Sequence, residues 1–121
     1  MDAGLIIKWG KPVPGRENEA FALFGEAMEY YKEKLADRTI SYHDTFMYRT
    51  GDVEERTGFT ILKGEEAALA KVLEDERVRV FLIKGQLVLE HIDVEWVTVG
   101  EAAVLQVEQT AKVLAGMALA R

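Results

Sequence analysis

Apolar side chains change their spacing several times along this chain, and each spacing indicates a different type of element. Residues 5–9 form a short apolar run with β-branched isoleucines, which predicts a strand that ends at Gly10. Residues 16–35 predict a long amphipathic helix instead, because apolar residues recur at intervals of three and four positions. The members of this helical stripe are Phe21, Phe24, Met28, Tyr31 and Leu35.

The rest of the chain repeats these two patterns. Residues 39–49 and 57–63 alternate in the manner of strands and flank a polar turn, so we expect a hairpin with a longer loop. A second helix begins at Gly64. Residues 86–96 alternate again as a fourth strand, and residues 98–117 predict another long helix with an apolar stripe.

One segment, 77–84, fits two structures equally well. Its many valines favour a strand. However, Val78, Phe81 and Leu82 also fit one face of a helix, and the period of so short an apolar run does not separate the two. The residues alone therefore leave this segment open between a strand and a helix.

The predicted order of elements is βαββαβ followed by one further helix, which is typical of a ferredoxin-like α+β domain. In such a domain the helices cover one face of a four-stranded antiparallel sheet. The 121 residues suit a single domain that spans 1–121, and no segment has the composition of an interdomain linker. We therefore expect one ferredoxin-like domain with an added C-terminal helix.

The face of the predicted sheet that the helices leave open is not cleanly polar. Ile6 and Lys8 stand on it in the first strand, and apolar residues stand on it in the later strands as well. An exposed patch of this kind usually marks an interface, so we expect a homodimer in which two open faces pack about a two-fold axis. To this face we also assign Met47, Gly58, Thr60, Leu62, Leu87 and Leu89.

The chain resembles the dimeric α+β barrel superfamily in its first strand ending in Trp9, its proline-containing loop at 12–17, and its βαββαβ order with a C-terminal helix. It is most similar to small uncharacterised bacterial members related to antibiotic-biosynthesis monooxygenases. The resemblance implies a dimeric barrel, a helical segment 77–84 that continues the second helix and, as in the monooxygenases, a cavity between sheet and helices. Other members degrade haem, but this chain lacks the Asn–Trp–His set of that type.

The charge balance and the residue types argue against several classes of function. A net charge of −6 gives no positive field for nucleic acid and would be repelled by an anionic membrane. The chain has no cysteine, which excludes thiolate zinc sites, iron–sulfur clusters and cysteine nucleophiles. The acidic start and the lack of a long apolar run predict a cytoplasmic protein. We find no metal or cofactor motif and expect no cofactor.

Asp44 and His43 are the candidate catalytic residues. Asp44 interrupts an apolar strand face, and if it faced the helices, burial would favour its protonated form, as in a tuned acid or base. A bulge or an edge position that lets Asp44 reach water is the alternative. Imidazole is the usual base near neutral pH, and His43 and His91 are the two histidines. His91 and Asp93 share one strand face as a candidate ligand pair, with solvated or interface histidines as the alternative.

Aromatic residues with polar ends are suited to line a pocket for a planar molecule. The candidate substrate-binding residues are Trp9, Tyr31, Tyr42, Tyr48, Arg49 and Trp96. Three functions follow: a homodimer that binds a small aromatic or polyketide-like molecule, a cofactor-independent monooxygenase-like or isomerase-like enzyme with the same pocket, and a structural or interaction dimer with a filled interior. The volume and polarity between the helices and the sheet distinguish the three.

Overall fold

A four-stranded antiparallel sheet with helices on one face forms the body of the protein, whose computed structural model describes residues 2–119. The elements along the chain are β1 Asp2–Trp9, α1 Glu17–Ala36, β2 Tyr42–Met47, β3 Gly58–Glu65, α2 Glu66–Glu74, α3 Glu76–Val88, β4 Asp93–Thr98 and α4 Gly100–Leu119. The strands lie in the order β2, β3, β1, β4, so β2 and β4 are the edges. This topology confirms the predicted ferredoxin-like α+β fold with its added C-terminal helix.

The segment after α2 is helical, as the resemblance implies, but it forms a helix of its own. Asp75 separates α3 from α2, and its carboxylate caps α3 by accepting a hydrogen bond from the backbone N–H of Arg77 at 2.9 Å. Because α3 continues to Val88, the prediction of a strand over 86–96 is wrong for its first half. β4 begins only at Asp93.

The contacts of α3, more than its composition, explain why this segment is a helix. Its buried positions are Val78, Gly85 and Val88, which recur at helical spacing on one face. Ile92 packs against the helix backbone at Gly85, where an added Cβ would lie 2.5 Å from its Cδ1 atom. His91 then turns the chain toward β4 with φ 58°.

The helices cover the opposite face of β3 from the one that the sequence suggested. Leu5 of β1 pairs with Leu62 of β3, and both side chains are almost fully buried beneath the helices. Both sides of β3 are apolar enough to be buried, so composition alone does not show which side faces the helices. The pairing of β3 with β1 decides this. The residues wrongly assigned to the open face are Met47, Gly58, Thr60 and Leu62, which face the helices, and Leu87 and Leu89, which lie outside the sheet.

The open face of the sheet is nevertheless apolar at its centre. Phe46 and Phe59 stack across β2 and β3 with their ring centroids 4.9 Å apart, and Tyr48 contacts the same Phe59 ring. Charged side chains share this face with the rings. Lys8 lies opposite Phe59 in the sheet, and the ammonium of Lys63 lies 4.4 Å from the ring centre of Tyr42. The apolar and aromatic residues of this face are Ile6, Tyr42, Phe46, Tyr48, Phe59, Ile61 and Val97.

A hydrogen bond and an ion pair join α1 to the start of α3. Tyr30 of α1 is 1% exposed, and its hydroxyl donates a hydrogen bond to Asp75 at 2.9 Å. Burial, together with this hydrogen bond, raises the pKa of Tyr30. The hydrogen bond from the Arg77 backbone, and then the one from Tyr30, lowers the pKa of Asp75. Arg77 also forms an ion pair with Glu33 of α1 at 2.8 Å, so α1 and α3 are joined at this end.

The C-terminal helix α4 stands apart from this body. Gly100 begins it with φ 63°, a left-handed conformation that favours glycine, and no residue described in the helix is buried. Within residues 2–119, no helix is both long and apolar enough to cross a membrane. Exposed apolar side chains of α4 are Val104, Leu105, Val107, Val113, Leu114, Met117 and Leu119.

Candidate functional site

A cavity of about 380 Å³ lies between the helix layer and the sheet. The strands β1, β3 and β4 contribute Leu5, Leu62 and Val94 to one wall, and the helices form the other. Small side chains on α1 leave room for it, because the buried Ala20 and the half-buried Ala27 both line the cavity. The space between sheet and helices is therefore open and lined mainly by apolar groups.

The apolar stripe predicted along α1 faces this cavity. Phe21, Phe24, Met28 and Tyr31 all line it, although Phe21 and Phe24 are 69% and 42% exposed. Side chains that line a cavity and also contact solvent mark its opening. Trp9 packs edge-to-face against Phe24, with ring centroids 6.1 Å apart, at the same end. Much of the stripe is thus the wall of a pocket.

One polar cluster adjoins the cavity, where the helix-covered sides of β2 and β3 meet. Thr60 lines the cavity and is 1% exposed, and its Oγ1 atom lies 3.0 Å from Oγ1 of Thr45 directly across the strand pair. Thr45 Oγ1 lies 3.4 Å from Nε2 of His43 and 3.8 Å from Sδ of Met28. The ring of His43 contacts that of Tyr31, with centroids 4.9 Å apart. Two hydroxyls therefore connect a histidine to the cavity.

Burial favours the neutral forms of both titratable groups in this cluster. It lowers the pKa of His43, and the negative charge of Asp44 opposes this shift only in part. Burial also raises the pKa of Tyr31 to about 12. Near neutral pH His43 is therefore an uncharged imidazole, which can accept a proton or a hydrogen bond, and Tyr31 is an uncharged phenol.

Three of the predicted site residues lie at or next to the cavity. Trp9 and Tyr31 line it, and His43 lies directly behind its wall, where it contacts Tyr31. Trp96 lies on the helix-covered side of β4, opposite Leu5, but it does not line the cavity and is 45% exposed. The structure thus brings a histidine and two aromatic candidates together and leaves Trp96 outside.

The other predicted site residues lie on the open face of the sheet or beyond β2. Asp44 pairs with Ile61 on that face and is exposed, so the buried acid considered from the sequence does not form, and Asp44 takes the edge position that reaches water. Tyr42 donates a hydrogen bond to Asp44 at 3.2 Å on the same face. Tyr48 and Arg49 follow β2, and both are exposed. None of these four side chains lines the cavity.

Sequence reasoning missed the polar part of the cavity wall. Thr45 and Thr60 stand in strands, where threonine is common, so neither the residue type nor its spacing signals a site. Their contact depends on the register of β2 against β3, which the long loop between the two strands leaves undetermined from sequence. Phe21, Phe24 and Met28 carried a usable signal, because their helical stripe was visible and only its role as a pocket wall was not.

The candidate ligand pair at the start of β4 does not form. His91 occupies the turn before the strand with φ 58°, so it does not share a strand face with Asp93 as the sequence suggested. Asp93 lies opposite Lys8 in the sheet. In the part of the chain that the structure describes, no three His, Asp or Glu side chains are grouped so that they could hold a metal ion.

No protein-family model matches this chain, and no curated protein matches it. Solved structures do match. Rv0793 from Mycobacterium tuberculosis gives a TM-score of 0.62 at 15% identity, over 83% of this chain and 96% of that one. SnoaB, a cofactor-independent oxygenase from Streptomyces nogalater, gives 0.59 at 12% identity, over 82% and 93% of the two chains. A dimeric protein of unknown function and ferredoxin-like fold from Bacteroides fragilis gives 0.58 at 8% identity, over 81% and 96%.

At these identities the similarities show the fold alone. They confirm the ferredoxin-like architecture, and they confirm the resemblance to a group of structures that includes an oxygenase. About a fifth of this chain lies outside each of these superpositions. The fold and the site together define a small ferredoxin-like domain with an open, mainly apolar cavity between its helices and its sheet.

Proposed function

We propose that this protein binds a small, mostly apolar molecule, aromatic or polyketide-like in shape, in the cavity between α1 and the sheet. The cavity itself carries the proposal, because its volume of about 380 Å³ is in the range of small-molecule sites. A purely structural dimer would need no such space, since protein interiors are close-packed. The rings of Trp9, Phe24 and Tyr31 offer flat walls to a planar ligand, and Thr60 offers a polar contact.

Filling the cavity should remove binding without unfolding the protein. Ala27 lines the cavity and is half-buried, so the ring of an Ala27→Phe variant would occupy the space that a ligand needs. We expect its Kd for 2-naphthol, measured by fluorescence titration, to rise at least about tenfold, or about 1.4 kcal/mol. Ala22→Phe is the matched control, because Ala22 lies on the same helix, is exposed and does not line the cavity.

Thermal unfolding of the two α1 variants is compared first, so that a folding defect is not mistaken for lost binding. If Ala27→Phe binds 2-naphthol as tightly as Ala22→Phe does, the ligand does not occupy this cavity. If the unsubstituted protein binds neither 2-naphthol nor other two-ring aromatic molecules, the proposed function fails. Loss of binding confined to Ala27→Phe is the result that the proposal requires.

The proposal includes a homodimer formed through the open face of the sheet. In the single chain, Ile6, Ile61 and the stacked rings of Phe46 and Phe59 are partly exposed there. Packing two such faces about a two-fold axis would cover both. α4 follows β4 with one residue between them, and its exposed apolar side chains are a further surface for a partner to cover. The dimeric protein from Bacteroides fragilis, which has a similar fold, supports self-association.

A cofactor-independent oxygenase or isomerase is the second candidate function, and the position of His43 favours it. The uncharged imidazole lies behind the cavity wall and could take a proton from a bound substrate through Thr45 and Thr60. SnoaB, which has a similar fold, is a cofactor-independent oxygenase. In this function His43 is the candidate base and the aromatic wall positions the substrate, whereas Asp44 lies on the opposite face of the sheet from the cavity.

A further inference from the structure

Thr60 is the buried hydroxyl of the strand wall, and its hydrogen bonding limits what it can offer a ligand. Leu5, Leu62 and Val94 in the same wall carry no polar side-chain atom, and the indole N–H of Trp9 at the end of β1 can only donate. Thr60 is 1% exposed, and its Oγ1 lies 3.0 Å from that of Thr45. A hydroxyl has one proton to donate and two lone pairs that accept, so the direction of the bond to Thr45 decides what remains for the cavity.

The surroundings of Thr45 decide that direction. Besides Thr60, its Oγ1 contacts two groups, Met28 Sδ at 3.8 Å and His43 Nε2 at 3.4 Å. A thioether sulfur only accepts, and Nε2 of a neutral imidazole accepts when the ring proton is on Nδ1. When the imidazole proton is on Nδ1, Thr45 donates to Nε2 or to the sulfur, and its oxygen accepts from Thr60. Thr60 is then left with a lone pair for a bound molecule.

We propose that the cavity selects molecules that carry a hydroxyl or N–H donor at the end that reaches Thr60. Phenols and enols meet this requirement, whereas an ether or a simple ketone of the same shape would place an acceptor against an acceptor. Burying a polar group without a partner costs more free energy than a hydrogen bond gains. Most of the difference in affinity therefore comes from the weaker binding of the ether or ketone. This inference rests on the proposed binding function and adds the chemistry of the ligand to it.

His43 is a positioning residue in this arrangement, because it acts on the ligand only through Thr45 and Thr60. A protonated imidazole would donate from Nε2 and leave Thr45 to donate to Thr60, a stronger acceptor than the sulfur. The groups around the ring are Tyr31 from α1, an apolar side chain of β3 directly opposite, and Asp44 next to it on β2. Acidification should therefore weaken the preference for donor ligands as His43 gains a proton.

The test compares 2-naphthol with 2-methoxynaphthalene, which has nearly the same shape and no donor. We expect the unsubstituted protein at neutral pH to bind 2-naphthol roughly tenfold more tightly, which is the size of one net hydrogen bond. Thr45→Val keeps the shape of the side chain but no longer orients Thr60, so the two Kd values should become equal. Thr45→Ser retains the hydroxyl and should retain the preference. The ratio of the two Kd values is compared between variants, because the effect of the extra methyl group of the ether is the same in each.

The possible results separate this inference from the proposed function. Equal affinity of the unsubstituted protein for both probes overturns the inference and leaves the binding function standing, whereas failure of both probes to bind overturns the two together. A preference that survives in Thr45→Val also overturns the inference. A pH series on the unsubstituted protein needs no variant. The preference for 2-naphthol should decrease at pH values below 6.5, the ordinary pKa of histidine, and a preference that does not change with pH contradicts the role of His43.

Discussion

A Phe59→Lys variant should be a monomer at concentrations at which the unsubstituted protein is a dimer. Phe59 lies on β3 in the open face, where it stacks on Phe46, and Lys8 stands directly opposite it on β1. A lysine at this position would therefore lie beside a like charge and, in a dimer, beneath the partner sheet. A buried charge without a partner costs about 3–5 kcal/mol, so the dimer affinity should fall at least about 100-fold.

Sedimentation velocity measures this change, with circular dichroism to show that the variant folds. Ile83→Lys is the control, because it adds the same charge on α3 at a side chain that is 58% exposed and lies off the sheet. We expect the control to remain a dimer. If Phe59→Lys retains the dimer affinity of the control, the open face is not the interface. If the unsubstituted protein is a monomer at micromolar concentration, the homodimer itself is ruled out.

Leu62→Ala should destabilise the fold by about 2–5 kcal/mol, whereas Leu87→Ala should change the free energy of unfolding by less than about 0.5 kcal/mol. Leu62 is 1% exposed beneath the helices and borders the cavity, so its truncation enlarges a space that the surrounding walls already leave unfilled. Leu87 is 60% exposed on α3. Both leucines were assigned to the open face from the sequence, so this pair of variants tests the revised assignment.

Chemical denaturation of the two leucine variants, followed by circular dichroism, gives both free energies of unfolding. The m-values should agree with that of the unsubstituted protein, which shows that the same surface is exposed on unfolding. Similar losses for Leu62→Ala and Leu87→Ala would contradict the burial of β3 beneath the helices.

The long helices α1 and α4 and the order of elements along the chain were predictable because they depend on local signals. The stripe on α1 spans enough residues for its period to be unambiguous, and α1 lies at Glu17–Ala36 as expected. The face of β3 was not predictable, because Phe59 and Ile61 on one side are as apolar as Leu62 on the other. Only the pairing with β1, which is distant in sequence, decides which side is buried.

The site was predictable only where it consists of aromatic residues on well-defined elements. Trp9 and Tyr31 follow from their place at a strand end and on a helical stripe. The polar cluster depends on register, since a shift of β2 by one residue against β3 would remove Thr45 from Thr60 and turn His43 to the open face. The loop between these strands carries no turn motif that fixes such a register, so the cluster emerges only from the folded structure.

Methyl NMR spectra recorded while 2-naphthol is added test most directly whether the cavity binds small molecules, because they locate the ligand in the fold. The methyl signals of Leu62, Ile92 and Val94, which line the cavity, should shift as the site fills. The signals of Ile83 and Val107, which are exposed on α3 and α4, should remain in place. Shifts confined to these exposed helix surfaces, or spectra that do not change at all, would contradict a binding site between the helices and the sheet.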